Sequence, residues 1–110
     1  MNIKIKEDKK ISVADKQYEE SVVVSSKGEI FSWDIKSEKI RVEDLKQFPL
    51  EEVKFLIVAK GEKVKNIDFS AQNFLKEKGI FLFVDDLKQG VKAFNFLSRS
   101  EKVLAAFDLS

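Results

Sequence analysis

The sequence contains no cysteine and no histidine. Without cysteine there is no disulfide, no thiolate nucleophile and no zinc–thiolate site, and the redox compartment leaves no mark on the chain. Without histidine the commonest general base, the Ser–His and Cys–His pairs, and the commonest transition-metal ligand are all gone. Acid–base or nucleophilic chemistry would have to fall to Lys, Asp, Glu, Ser or the single tyrosine, Tyr18. No catalytic residue, metal ion or cofactor is expected on these grounds. An excess of one charge is also missing, since Lys+Arg is 20, Asp+Glu is 19 and the net charge is +1. A nucleic-acid-binding domain is expected to be strongly basic, so nucleic acid is not an expected partner. The N-terminal "KIKEDKK" is diluted by Glu7 and Asp8 and reads as a solvated strand or tail. With only Ile3 and Ile5 apolar in it, the segment from Met1 to Lys10 is expected to add little to the core.

Long hydrophobic runs are absent as well. A membrane span needs about 20 consecutive apolar residues, and the runs here are short segments such as "FLIVA" and "IFLFV". The N-terminal residues offer no apolar stretch of the kind a signal peptide requires. No membrane insertion and a cytoplasmic location are therefore expected, and the Lys-, Ile- and Phe-rich usage suggests an AT-rich bacterial genome. Proline occurs once, at Pro49, and glycine four times, so the punctuation of the chain is sparse and readable.

The 110 residues suit one domain, 1–110, with a two- or three-layer core. Ile3 and Ile5 alternate with lysine, and Ile11 and Val13 repeat the pattern before a turn at Ala14-Asp15-Lys16. "SVVVS" (21–25) is β-branched, Ser26-Lys27-Gly28 reads as a hairpin loop, and "EIFSW" (29–33) returns. The first third therefore reads as an antiparallel β-meander. "VEDLKQF" (42–48) predicts a short helix stopped by Pro49. "KFLIVA" (54–59), "IFLFV" (80–84) and "VLAAF" (103–107) are continuous apolar runs, as in strands covered on both faces. Between them lie two helices. The first is capped by Asp68 or Ser70 and ends at Gly79; the second is capped by Asp85 or Asp86, with Leu87, Val91, Phe94 and Leu97 on one face. Strand–helix–strand from Phe55 to Val84 predicts a right-handed parallel crossover, and the whole an α/β or α+β domain with a mixed sheet flanked by helices.

In such a sheet ligands sit outside the carboxyl ends of the parallel strands. Lys60-Gly61 and Asp85-Asp86 are placed at that edge, with Ser70 at a helix start, so Lys60, Gly61, Ser70, Asp85 and Asp86 form the candidate ligand-binding set. Backbone N–H groups there could hold an anion. The phosphate-loop and dinucleotide-binding glycine patterns are absent, however. Two adjacent aspartates repel phosphate, and a helix-capping aspartate already has a structural role. The plainer reading makes Ala59-Lys60-Gly61 a turn in which Gly61 supplies backbone freedom, and Lys60 pairs loosely with Asp85 or Asp86. The ten phenylalanines mostly fall on apolar stripes and read as core.

Several words, in order, carry a resemblance. "FSWDIKSEKIRVEDL" (31–45), "KEKGIFLFV" (76–84) and "KAFNFLSRSEKVLAAFDL" (92–109) resemble the Trp-containing strand end, the second parallel strand and the closing helix and strand of a known family. It is the small Mth-type domain family of unknown function, which includes an adipogenesis-associated protein and a mitochondrial complex I assembly factor. The resemblance runs from about Ile11 to Leu109. It implies three layers around a mixed five-stranded central sheet, with the last strand central and antiparallel to the others. It also implies a non-catalytic module that binds another protein, assembly-factor-like, with a small-ligand or anion-binding domain as the alternative and a homo-oligomer left open. The chain departs from the family's usual pattern at Ala59-Lys60-Gly61, at Asp85-Asp86 and at Ser100-Glu101-Lys102.

Overall fold

The computed structural model describes residues 2–7 and 9–110; Met1 and Asp8, the latter one of the two acids that dilute the basic N-terminal stretch, lie outside the described residues. In chain order the elements are β1 (Ile3–Glu7), β2 (Lys10–Val13), β3 (Lys16–Tyr18), β4 (Val22–Ser25), β5 (Ile30–Ser32), β6 (Lys39–Ile40), α1 (Val42–Leu45), β7 (Phe55–Lys60), β8 (Asn66–Ile67), α2 (Phe69–Glu77), β9 (Phe81–Asp86), α3 (Leu87–Leu97) and β10 (Val103–Phe107).

The frame is a five-stranded sheet in the order β5-β4-β10-β7-β9. All five side chains of β10 are buried, which is what a strand covered on both faces demands of its sequence. Its residues alternate between two cores. Val103, Ala105 and Phe107 join Val22, Val24, Ile57 and Ala59 against Val91 and Phe94 of α3. Leu104 and Ala106 join Val23, Leu56 and Val58 against Leu45, Ala71 and Leu75 on the other side. The result is three layers, with α3 and the β1–β3 sheet on one face and α1, α2 and the β6-β8 ribbon on the other.

The expected architecture holds with two corrections. The last strand is central, but it is antiparallel only to β4 and runs parallel to β7. The strand opposed to its neighbours on both sides is β4. The crossover through α3 returns the chain to the starting edge of the sheet, so β10 must run the same way as β7 and β9. The N-terminal meander is also divided. β1–β3 form their own antiparallel sheet, while β4 and β5 make a hairpin inside the central one. Burial explains the split: all four side chains of β4 are buried, whereas β1 buries only Ile3 and wets the rest.

The tail is not the bystander its composition implies. Ile3 is 2% exposed. Its N–H donates to Asn95 Oδ1 at 2.8 Å, and its carbonyl accepts from Asn95 Nδ2 at 2.9 Å. The Asn95 amide thus pairs with β1 as a neighbouring strand would, fastening it to α3. Lysines around Ile3 and Ile5 conceal this in the sequence, because the partner lies 92 positions away.

The start of α3 and the end of α2 follow their sequence signals, whereas the start of α2 does not: Asp68 stands at its N-cap, but neither it nor Ser70 makes a side-chain cap bond to the helix backbone. Asp86 Oδ1 accepts from Gln89 N at 2.9 Å and caps α3. At the end of α2, Gly79 adopts φ 74°, its N–H donates to the Lys76 carbonyl, and Ile80 N donates to the Leu75 carbonyl. That pair of bonds satisfies the orphaned carbonyls of the last turn. The first helix is shorter than its pattern, ending at Leu45 and continuing to Phe48 as turns. Within α3, Gly90 lies directly on β7, where an added Cβ would be 2.7 Å from Ala59 Cβ.

Two substitutions check this packing. Ile3→Ala is expected to cost about 3 kcal/mol and lower the melting temperature by about 15 °C, since it empties a fully buried site. A shift of only a few degrees by calorimetry would return β1 to the status of a loose tail. Gly90→Ala pits a helix-propensity gain of up to about 1 kcal/mol against a rigid Cβ–Cβ overlap. The overlap is expected to win, and thermal unfolding should show net destabilisation.

Candidate functional site

The carboxyl ends of β7, β9 and β10 meet at one edge of the sheet, and the candidate residues divide there. Ala59 and Lys60 lie opposite Asp85 and Asp86 in the β7–β9 register. That brings Lys60, Gly61, Asp85 and Asp86 to the same edge. Lys60 is exposed, and no ion pair joins it to either aspartate. Asp86 caps α3, and Asp85 Oδ1 accepts from Asp86 N at 2.7 Å. Ser70 donates its hydroxyl to the Asp68 carboxylate, so it serves the start of α2.

The loop leaving β7 does cradle an anion, and the anion belongs to the chain. Asp108, the first residue after β10, is 2% exposed. Its N–H donates to the Ala59 carbonyl at 3.0 Å, which carries the β10–β7 pairing one residue further. Its Oδ2 accepts from Gly61 N at 3.1 Å, Lys63 N at 3.0 Å and Val64 N at 2.7 Å. Its Oδ1 accepts from Ser110 N at 3.0 Å and from the Ser110 hydroxyl. Ser110 Oγ in turn accepts from Glu62 N at 3.2 Å and Lys63 N at 3.0 Å. Four consecutive N–H groups, Gly61 to Val64, are thereby turned onto Asp108 and Ser110. Burial pushes the Asp108 carboxyl up, but the hydrogen bonds from Ser110, Val64 and Gly61 outweigh it and hold the group below the ordinary carboxylate range.

Gly61 is needed here for a reason other than turn freedom, which is a correction to the sequence reading. Positive φ among the glycines is found at Gly28 and Gly79, not at Gly61. A Cβ on Gly61 would instead lie 2.3 Å from the Asp108 carbonyl oxygen and 2.8 Å from its Cγ. The glycine lets Asp108 approach the loop backbone. Sequence reasoning missed Asp108, and the one signal for it was a lone acid set directly after the most buried strand, in "AAFDLS".

Beside this cradle lies a hollow of about 340 Å³, walled by Glu20, Trp33, Asp34, Lys63 and Ser110 among others. None of Lys60, Gly61, Ser70, Asp85 and Asp86 lines it. Trp33 packs edge-on to Phe48, centroids 5.9 Å apart. The Lys36 ammonium hydrogen-bonds Asp34 and lowers its carboxyl. Among the described residues no three acidic side chains are grouped to hold a metal ion, and no helix is long and apolar enough to cross a membrane.

The surface elsewhere is unusual in its aromatics. Phe69 is 74% exposed, Phe96 70% and Phe81 58%, with Phe83 and Phe31 also exposed. Phe69 and Phe81 border a common groove between α2 and β9.

Comparison with known proteins gives a consistent result. The family described as "Protein of unknown function (DUF498/DUF598)" matches residues 3–107. A Xenopus tropicalis protein, NADH dehydrogenase (ubiquinone) 1 alpha subcomplex assembly factor 3, is 30% identical over 80 residues. That match takes in 70% of this chain but spans 44% of the relative's length. The fold is similar to that of the conserved hypothetical protein PH1505 from Pyrococcus horikoshii OT3, with a TM-score of 0.87, 16% identity, and coverage of 100% of this chain and 99% of that one. It is also similar to the solution structure of a Mth938-like domain from Bordetella pertussis, with a TM-score of 0.76, 15% identity, and coverage of 96% and 84%.

The cradle makes a prediction about acid. Asp108 ionises at lower pH folded than unfolded, so acid favours the unfolded chain. Its contribution is complete above the unfolded value of about 3.9 and is lost as pH falls through the folded value. Asp108→Asn, which presents an amide to donors, is expected to lose about 3 kcal/mol near neutral pH. Urea midpoints should show that gap at about pH 7 and its contraction at about pH 3. An equal gap at both would mean that the charge is not what the loop holds.

Proposed function

Because the chain belongs to the DUF498/DUF598 family, we propose that it is a non-catalytic module that binds another protein in the manner of an assembly factor. The observation that carries this reading is the exposure of Phe69 and Phe96 at 74% and 70%. Each leaves a large apolar ring mostly in water. Phenylalanine, like tyrosine and tryptophan, is enriched at the buried core of protein interfaces. The assembly-factor name of the Xenopus relative supports the same class of role. The loop N–H groups that would orient a small anion at the β7 edge are already given to Asp108 and Ser110, which favours the protein reading over the ligand one.

The test is quantitative cross-linking capture from the native organism with wild type, Phe69→Ser and Phe96→Ser. Both residues are exposed, so melting temperatures should move by at most a few degrees. At least one variant is expected to lose a defined partner by about 30-fold, the effect of removing an interface anchor. Undiminished capture by both would remove the basis of the proposal. Titration with phosphate, sulfate and nucleotides, followed by chemical shifts near Gly61, covers the other reading. Saturable shifts that vanish in Lys60→Ala would move the function to a small-ligand site at Lys60, Gly61, Ser70, Asp85 and Asp86.

A further inference from the structure

The central sheet ends in two unlike edges. β5 is three residues long, whereas β9 is six. Natural sheets blunt long edges with lysine, proline or a bulge to prevent pairing with other chains. "FLFV" at Phe81–Val84 has no charge or proline, and its register with β7 is unbroken.

The hydrogen-bonding parity of this edge follows from one bond. Phe81 N–H donates inward to the Lys54 carbonyl at 2.9 Å. In a parallel pair the residues that bond a given neighbour alternate, so Phe81, Phe83 and Asp85 are committed to β7. Leu82 and Val84 direct their N–H and C=O groups outward. At either end the next outward N–H groups are already used, Ile80 N by the Leu75 carbonyl and Asp86 N by its neighbour's carboxylate. The edge thus offers both N–H groups and both carbonyls of Leu82 and Val84, beside the outward Ile80 carbonyl.

We infer that β9 pairs antiparallel with β9 of a second copy of this chain, centred on Phe83. That register alone uses all four groups, with Leu82 and Val84 of each copy exchanging bonds with Val84 and Leu82 of the other. Phe83 then faces its own counterpart across the two-fold axis, at the closer, non-hydrogen-bonded spacing. Phe81 faces Asp85 of the second copy on the same side of the sheet. Lys54 Nζ already lies 5.3 Å from the Phe81 ring centroid, so each Asp85 carboxylate meets a lysine ammonium of the other copy, twice per pair. Exposed phenylalanine is covered and unlike charges are matched by one symmetric operation. This surface and this partner go beyond the protein-binding reading, and neither depends on the other.

Sedimentation equilibrium over a concentration series, together with amide hydrogen exchange, tests the inference. Wild type should dimerise, and the Leu82 and Val84 amides should slow with concentration. The Phe81, Phe83 and Asp85 amides should be slow at every concentration, as an internal control. Val84→Pro removes an outward donor that no bond within the chain uses, and Phe83→Lys sets two ammonium groups face to face; both should be monomeric with native circular dichroism. If Val84→Pro does not fold, Phe83→Lys decides, because that side chain is exposed. Lys54→Glu and Asp85→Lys should each weaken association by about tenfold, and the two together should restore it. A wild type that stays monomeric with fast Leu82 and Val84 exchange overturns the inference. So does a dimer that survives Phe83→Lys, a charge exchange without rescue, or slowing of those amides only when a different protein is added.

Discussion

The fold turns on a buried carboxylate. Asp108 ties the end of the central strand to the loop that leaves the neighbouring one, through three N–H donors from that loop and the Ser110 amide and hydroxyl. A charge placed at 2% exposure is costly unless every lone pair finds a donor, and here donors are supplied in excess. Hydrogen bonds to a charged group are worth about twice neutral ones. The loop from Gly61 to Val64 therefore has one well-determined shape, and that shape delivers Val64 into the core shared by Ile67, Ala71 and Leu75. Val64 thereby joins the apolar core that seats α2 along its length.

The same arrangement accounts for what happens at the edge where α/β sheets usually take ligands. N–H groups at the end of a parallel strand form an anion site because they converge and lack partners. In this chain they converge, but Asp108 and Ser110 arrive first. A fold whose geometry favours anion binding has its site satisfied from within, and its stability rather than its ligand chemistry draws on those donors. Glycine at position 61 fits this account, because any side chain there would strike the Asp108 backbone.

How much of this was legible in the sequence depends on distance along the chain. β7, β9 and β10 announce themselves as short apolar runs, and the caps at Asp86 and Gly79 are local signals read within a few residues. The edge at which Lys60 meets Asp86 follows from the crossover rule alone. Asp108 was not legible, since its loop donors lie 44 to 47 positions away and its position after an apolar strand, with Ser110 two residues on, does not by itself separate it from a solvated acid. Ile3 was not legible for the same reason, because Asn95 stands 92 positions off. The orientation of β10 was misread from the family pattern, although the second crossover through α3 determines it. The division of the meander could have been read from "VVV": a strand apolar at consecutive positions needs cover on two faces, which a peripheral hairpin sheet lacks.

The exposed edge borders the most tightly packed part of the sheet. Gly90 allows α3 to settle directly onto Ala59 of β7, closer than any side chain would permit. A helix drawn that tightly to an inner strand covers β7 and β10 well, with Val91 and Phe94 inserted among Ile57, Ala59, Ala105 and Phe107. A helix is about 10 Å wide and strands are spaced at about 4.8 Å, so a helix whose buried side chains sit over β7 and β10 spans about two strands, and β9, on the other side of β7, lies at its margin. Phe81 and Phe83 lie on the α3 face of β9 and remain in solvent, with Phe55 stacked on Phe81 at 5.4 Å. Ala59 and Gly90 tighten the centre of this face, and the aromatic edge lies beyond the two strands that Val91 and Phe94 cover. A larger residue at position 90 would meet Ala59 directly, push α3 off β7 and loosen the core that both strands share.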